Sequence, residues 1–150
     1  MKKRICAVLV LSLLLIGTFR TTASAADYVD KIFSFYISNT YDETNSYTKY
    51  TTSSVYIHVT DARTNYVNVQ AWGYYQNGGW INRTVGTTAR VPVAALPNSD
   101  SAKTRIRAAL LENNNNQPMS VKLRFTVNSQ PTVVVGVWSP DCKGNYPAAN

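Results

Sequence analysis

The sequence is poor in the residues that most often carry catalysis. It holds one histidine, His58, and two cysteines, Cys6 and Cys142, among 150 residues. It has no glycine-rich phosphate loop, no nucleophile elbow and no Cys/His spacing typical of a metal site. A zinc centre or a Ser–His or Cys–His system would depend on His58, which alternation places on the polar side of a strand. We therefore predict a protein that is not an enzyme, without catalytic residues, bound metal or cofactor.

Acidic residues are also few, and those adjacent in sequence make a poor catalytic pair. Asp42 and Glu43 are neighbours, and neighbouring side chains of an extended chain point to opposite sides. A pair from distant segments, such as Asp61 and Asp141, stays open. It supports a third and minor hypothesis, a hydrolase that uses two carboxylates.

A long hydrophobic run occurs near the amino terminus and is not repeated later in the chain. The basic residues Lys2, Lys3 and Arg4 precede the apolar run Ile5–Gly17, and Ala23-Ser24-Ala25 follows. This is the three-part pattern of a secretory signal, and the run is shorter than the roughly 20 residues of a membrane-spanning helix. We predict a signal peptide over 1–25, cleaved after Ala25, and a single secreted domain over 26–150.

Removing the signal would change both the charge and the thiol content. The whole chain has a net charge of +7, whereas the mature chain would carry 11 basic and 8 acidic residues, a net charge of +3. That excess is too small to indicate a nucleic-acid partner. Cys142 would be the one remaining thiol, so it cannot form an internal disulfide. It either stays unpaired or links a second molecule, which would make a homo-oligomer.

The chain is instead rich in Tyr, Thr, Val, Asn and Ser, a composition typical of strands. Apolar and polar residues alternate in several segments, as with Phe33, Phe35 and Ile37 in "KIFSFYIS". The run "TVVVGVW" is continuously apolar, as in a strand covered on both faces. Turn residues such as Asn77-Gly78-Gly79 separate the strands. The sequence predicts an all-β fold, an antiparallel β-sandwich of about seven strands.

The segment 99–112 permits two interpretations. Ala102, Ile106 and Leu110 lie at helical spacing, and Ser99 or Asp100 would cap a short helix. The same residues also alternate as a strand. The strand is favoured, because it could form a hairpin with 119–128 through the asparagine-rich loop.

One predicted binding surface is aromatic. Keeping the apolar residues of the second and third strands on one face pairs His58 with Asn68 and Tyr56 with Gln70. The opposite face would then combine rings, which stack on sugars or flexible peptides, with amides, which bind hydroxyl groups. Its candidate ligand-binding residues are Tyr56, Tyr66, Trp72 and Tyr74.

A second predicted surface is basic. If 104–112 and 119–128 form a hairpin, its polar face carries Arg105, Arg107, Lys122 and Arg124. Like charges placed opposite each other destabilise a sheet, and an acidic partner would relieve that cost. Wall phosphate polymers, anionic lipid or the acidic half of another copy would fit.

With the strands assigned, a family resemblance becomes visible. "FSFYIS", the asparagine-rich loop and "VVVGVWSPD" resemble segments of small, uncharacterised exported proteins of Gram-positive bacteria, which are similar to lactococcin-like β-sandwich bacteriocins. The resemblance implies secretion, an all-β fold and action on a cell envelope, and it assigns no catalytic residue. In this light we expect Trp138 to pack under the sheet and Pro140 to end the last strand.

Two functional hypotheses lead. The first is a secreted, non-enzymatic protein that binds a cell-envelope or extracellular ligand, either a carbohydrate or an anionic polymer, without stable membrane insertion after cleavage. The alternative is a bacteriocin-like toxin that acts on the envelope of competing bacteria. Growth inhibition by the mature protein would separate the two.

Overall fold

The computed structural model describes residues 25–38, 40–94, 100–126 and 132–149. Nearly all of the predicted signal peptide, the candidate cap Ser99 and the last two residues of 119–128 lie outside the described residues. The described residues form two short 3₁₀ turns, at Asp100–Ala102 and Glu112–Asn114, and ten strands. The strands are β1 (Lys31–Ile37), β2 (Tyr41–Glu43), β3 (Tyr47–Lys49), β4 (Val55–Ala62), β5 (Tyr66–Tyr75), β6 (Gly79–Asn82), β7 (Ala89–Pro92), β8 (Thr104–Ile106), β9 (Met119–Thr126) and β10 (Thr132–Ser139).

These strands form two antiparallel sheets, which confirms the predicted all-β sandwich. One sheet has four strands in the order β1-β10-β4-β8. The other has six, with β2-β9-β5-β6 as its main path, β3 paired with β9 and β7 paired with β5. The predicted hairpin at Asn77–Gly79 is confirmed, since Tyr75 pairs with Gly79 between β5 and β6. Gly79 has φ +66°, a conformation that glycine adopts without steric cost.

The core lies between the inner faces of the two sheets. Phe33 of β1 meets Phe125 of β9 with ring centres 4.8 Å apart, so the aromatic contact joins the sheets directly. Trp138 is fully buried, as predicted, and β10 ends at Ser139, immediately before Pro140. Burying a large apolar side chain contributes roughly 1.5–3 kcal/mol. The alternation of apolar residues therefore predicts the inward set of the long strands correctly.

The predicted pairing of His58 with Asn68 and of Tyr56 with Gln70 is wrong. β4 pairs with β10 and β8, whereas β5 pairs with β9, β6 and β7. The connection between β4 and β5 crosses from one sheet to the other. Such a crossing keeps both apolar sets facing the core just as a hairpin would, so alternation does not distinguish the two arrangements.

The predicted hairpin of 104–112 with 119–128 is also wrong. β8 pairs with β4, so the strand interpretation holds only for Thr104–Ile106. The chain then crosses to the six-stranded sheet, where Ala109 N–H donates to the carbonyl of Arg83 at 3.0 Å. Leu110 and Leu111 are buried on this path. Both leucines join the hydrophobic core on this path, whereas neighbouring residues of a strand point to opposite faces, so a hairpin would bury only one of them.

Candidate ligand-binding face

The outer face of the six-stranded sheet gathers aromatic and basic side chains. Across β5 and β9, Trp72 pairs with Lys122 and Gln70 with Arg124, and across β2 and β9 Glu43 pairs with Arg124. Directly paired residues point to the same side of a sheet, so these side chains lie together. We call this surface the aromatic–cation face. Its residues are Tyr41, Glu43, Tyr66, Gln70, Trp72, Tyr74, Trp80, Arg90, Lys122 and Arg124.

Arg124 lies between two rings of this face. Its guanidinium carbon is 3.9 Å from the ring centre of Trp72 and 4.1 Å from that of Tyr41. A cation over an aromatic face contributes roughly 0.5–1 kcal/mol at an exposed site. The arginine therefore fixes the positions of both rings.

The other two cations are placed in the same way. Lys122 Nζ is 4.4 Å from the ring centre of Trp80. The guanidinium carbon of Arg90 is 3.4 Å from the ring centre of Tyr66. Each cation of the aromatic–cation face thus covers an aromatic ring.

Glu43 binds two of these cations at once. Arg124 Nε donates to Oε1 at 2.7 Å, and Lys122 Nζ donates to Oε2 at 2.5 Å. Partial burial would raise the pKa of Glu43, but hydrogen bonds and charges from Lys122 and Arg124 outweigh it and hold the pKa below its usual value. The cations Lys122, Arg124 and Arg90 outnumber the single carboxylate of Glu43, so the face has a net charge of +2.

An amide completes the arrangement. Gln70 accepts a hydrogen bond from Trp72 Nε1 at 3.0 Å and donates Nε2 to Thr88 Oγ1 at 3.1 Å. Tyr74 meets Trp80 edge to face, with ring centres 5.6 Å apart. Tyr41 and Tyr74 are each 48% exposed, so the face offers ring surface that is accessible and already oriented.

Five of the predicted ligand-binding residues are brought together here, namely Tyr66, Trp72, Tyr74, Lys122 and Arg124. Tyr56 is not among them, and placing it on an exposed platform was wrong. It is buried in the four-stranded sheet, with its ring 5.0 Å from that of Tyr146. His58 is also buried rather than exposed. The 3₁₀ turn at Asp100–Ala102 packs against β4 on this side of the sandwich.

The predicted basic face is likewise wrong, because its hairpin does not form. Arg105 lies on β8 opposite Tyr56, and its backbone N–H donates to the carbonyl of Pro147 at 2.9 Å. Arg107 is exposed beyond the end of β8. Lys122 and Arg124 lie on the other sheet. There they contact Glu43 and aromatic rings, so the repulsion expected among four neighbouring cations does not arise.

The most buried charged pair of the described residues was not predicted from the sequence. Lys49 Nζ lies 3.0 Å from Asp141 Oδ1, with side chains 1% and 0% exposed, and it also donates to the carbonyl of Pro140 at 2.7 Å. Burial lowers the pKa of Lys49, although the charge of Asp141 opposes the shift. These residues are 92 positions apart, and no motif or alternation in the sequence links them.

Asp141 also accepts hydrogen bonds from Thr51, which follows Lys49 closely, and from Asp27 in a separate stretch of chain. Its carboxylate accepts hydrogen bonds from Thr51 Oγ1 at 2.6 Å, Thr51 N–H at 3.1 Å and Asp27 N–H at 2.9 Å. Burial alone would raise the pKa of Asp141, but the Thr51 hydrogen bonds and the charge of Lys49 outweigh it and hold the pKa low. We call Lys49, Thr51 and Asp141 the carboxylate clasp. Asp61 is exposed near the other end of β4, so it does not pair with Asp141.

Two negative findings apply to the described part of the chain. Within residues 25–38, 40–94, 100–126 and 132–149, no group of three or more His, Cys, Asp or Glu side chains is placed to hold a metal ion. Over the same ranges no helix has the length and apolar character needed to cross a membrane.

The comparisons give a family but no functional description. The model of the family DUF2712, described as proteins of unknown function, matches residues 21–142. No curated protein and no solved structure matches the chain. The matched range includes β1 to β10 and therefore the whole aromatic–cation face and the carboxylate clasp.

Proposed function

The chain belongs to the DUF2712 family, and we propose that it is a secreted, non-enzymatic protein that binds a carbohydrate of the cell envelope. The aromatic–cation face is the observation that carries this proposal. Aromatic rings stack on the apolar faces of sugars, while amide and cationic N–H groups bind hydroxyl oxygens. Trp72, Tyr74 and Gln70 supply these groups side by side on β5.

Internal ion pairing favours a carbohydrate over an anionic polymer. An anionic polymer would compete with Glu43 for Lys122 and Arg124, which already hold that carboxylate. A neutral sugar can use the rings and the remaining N–H groups without breaking these ion pairs. Because the cations hold the rings in place, little side-chain entropy is lost on binding.

Retention on insoluble peptidoglycan tests the proposal. We expect the protein, recovered after expression of the full-length chain, to be retained at low salt, and Trp72→Ala to weaken retention about tenfold or more, as removal of a central aromatic contact typically does. Tyr36→Ala is the matched control, since Tyr36 is an exposed ring on the opposite sheet. Absence of retention at low salt, or equal losses in both variants, would overturn the proposal.

The outer face of the four-stranded sheet favours the second candidate function, a bacteriocin-like toxin. Ile32 is 82% exposed, Tyr36 60% and Val133 38%, and Tyr36 pairs with Val133 across β1 and β10. An exposed apolar surface of this kind is suited to contact with lipid or with another protein. For a toxin we expect growth inhibition that Ile32→Asp abolishes and Trp72→Ala preserves. Inactivity against related Gram-positive strains would remove this candidate.

A further inference from the structure

A cleft opens at one end of the aromatic–cation face. It lies where the turn between β5 and β6 approaches the loop that leads into β9, and its volume is about 730 Å³. Pockets that hold small ligands typically measure roughly 300–1,000 Å³. Its side chains include the rings of Tyr74 and Tyr75 and the carboxamides of Gln76, Asn77, Asn113, Asn114, Asn115 and Gln117.

The lining of this cleft is rich in amides and uncharged. Among the described residues that line the cleft, none is charged. Each carboxamide offers two N–H donors and one acceptor oxygen. An ion entering such a cleft would lose hydration without gaining a charged partner, so the lining suits a neutral ligand with many hydrogen-bonding groups.

The loop on one side of the cleft is held in shape by its own amides. Asn113 Nδ2 donates to the carbonyl of Ala109 at 2.6 Å, and Asn114 Nδ2 donates to that of Gln117 at 3.0 Å. Asn115 has φ +51°, a left-handed conformation that asparagine tolerates better than most residues. The site is therefore formed before a ligand arrives, which lowers the entropy cost of binding.

Both sides of the cleft also supply amides that are not used in holding the fold. Gln76 and Asn77 on the β5–β6 turn and Gln117 on the loop are exposed, and their side chains make no hydrogen bond to other residues in the described ranges. Tyr74 forms a wall of the cleft and also belongs to the aromatic–cation face. A chain of sugars stacked on that face can thus continue into the cleft.

We propose that this cleft binds a neutral glycan that carries acetamido groups, as N-acetylated amino sugars do. An acetamido group carries its N–H donor and its carbonyl acceptor on opposite sides, because a secondary amide is trans. A carboxamide of the β5–β6 turn, such as Asn77, and one of the facing loop, such as Gln117, can therefore bind it together, one accepting from the N–H and the other donating to the carbonyl. A hydroxyl has its donor and its acceptors on a single oxygen and does not bridge the two sides in this way. This inference rests on the proposed function and names the class of sugar.

Calorimetric titration with two tetrasaccharides provides the test. The probes are the β-1,4-linked tetramer of N-acetylglucosamine and the corresponding tetramer of glucose, which has hydroxyls in place of the acetamido groups. We expect the acetylated tetramer to bind at least about tenfold more tightly. The double variant Asn77→Ala/Gln117→Ala should weaken its binding about tenfold or more. Asn65→Ala/Asn145→Ala is the control, since it removes exposed amides elsewhere and should leave affinity unchanged.

Each outcome decides one part of the inference. Equal affinity for the two tetramers would overturn the preference for acetamido sugars. Unchanged affinity in Asn77→Ala/Gln117→Ala would overturn the assignment to the cleft, and so would absence of binding by the acetylated tetramer. Retention on peptidoglycan that still depends on Trp72 would then show that the broader function survives. Loss of that retention while the tetramer binds would overturn the aromatic–cation face and leave the cleft.

Discussion

Asp141 is a single carboxylate on which separate parts of the chain converge. Asp27, Lys49 and Thr51 all bind it, and it is fully buried. Moving a charged group from water into a protein interior costs several kcal/mol, which pairing and hydrogen bonds must offset. Removing one partner therefore leaves the other charge buried without compensation.

Replacing Asp141 should destabilise the protein strongly. We expect Asp141→Asn to lower the free energy of unfolding by about 3–5 kcal/mol, measured by urea denaturation at pH 7. Asp61→Asn is the matched control, because Asp61 is exposed, and its effect should stay within about 0.5 kcal/mol. Similar small effects in both variants would show that the clasp contributes little.

The contribution of Asp141 to stability should depend on pH. The folded-state pKa of Asp141 lies below its unfolded value, which is about 3.9, so the unfolded chain binds more protons in acid. The stabilisation by Asp141 is present above pH 4 and is lost as the pH falls through the lower folded-state pKa. Asp141→Asn should therefore lose less stability than the native protein on acidification. An identical acid dependence would contradict this assignment.

Cys142 adjoins the clasp. Its Sγ donates to the carbonyl of Gly144 at 3.2 Å, and burial raises its pKa. The thiolate is the reactive form of cysteine, so the thiol is mainly protonated and slow to react at neutral pH. The homo-oligomer linked by an intermolecular disulfide through Cys142 stays a prediction.

At the scale of elements, β10 contains an irregularity that a glycine makes possible. Its pairing with β4 shifts register between Val135 and Gly136. A Cβ atom at Gly136 would clash with the carbonyl oxygen of His58 and lie 2.6 Å from Phe33 Cζ. Glycine thus allows the backbones of the two strands and the core ring to approach closely.

Filling that space should be costly. We expect Gly136→Ala to lower the free energy of unfolding by about 1–3 kcal/mol or more, because the rigid backbone of β4 cannot move aside easily. Gly78→Ala is the control, since its Cβ would meet the flexible end of Ile81 at 3.0 Å. Urea denaturation of both variants measures the difference. Equal losses of unfolding free energy in the two variants would show that the backbone of β4 moves aside as easily as the Ile81 side chain.

The sequence predicts the long strands better than the short ones. β1, β4, β5 and β9 each carry enough residues for a two-residue alternation to be recognised, and β10 is indicated by its continuous apolar run. β2, β3 and β7 have three or four residues and were missed. Their positions are set by pairing with β9 or β5, so their own residues do not indicate that they are strands.

Residues of the aromatic–cation face were predicted where alternation along a single strand indicates them. Tyr66, Trp72 and Tyr74 alternate on one strand, so their common face follows from β5 alone. Glu43, Tyr41 and Trp80 reach that face from other strands, and only the register of the sheet brings them there. Alternation separates inside from outside, but it does not assign a strand to one sheet or the other.

At the scale of the whole molecule, the two outer faces differ in chemistry, and this predicts how binding responds to salt. If carbohydrate contacts dominate, raising NaCl from 0.1 to 1 M should reduce retention on peptidoglycan less than about threefold, although the screening length falls from roughly 10 to 3 Å. Glu43→Gln, which removes the carboxylate that neutralises Lys122 and Arg124, should make retention more sensitive to salt. A steep loss in the native protein would instead indicate an anionic polymer.

The position of β10 has a consequence for the order of folding. β10 separates β1 from β4 in its sheet, and the bonds from Asp27 and Thr51 to Asp141 join residues 114 and 90 positions apart. Contacts between such distant residues slow folding. A nascent polypeptide would therefore stay loose until its final quarter has been made. If the protein is secreted, as we propose, such late closure would keep the chain unfolded enough to pass through a translocation channel, and it would fold on the far side.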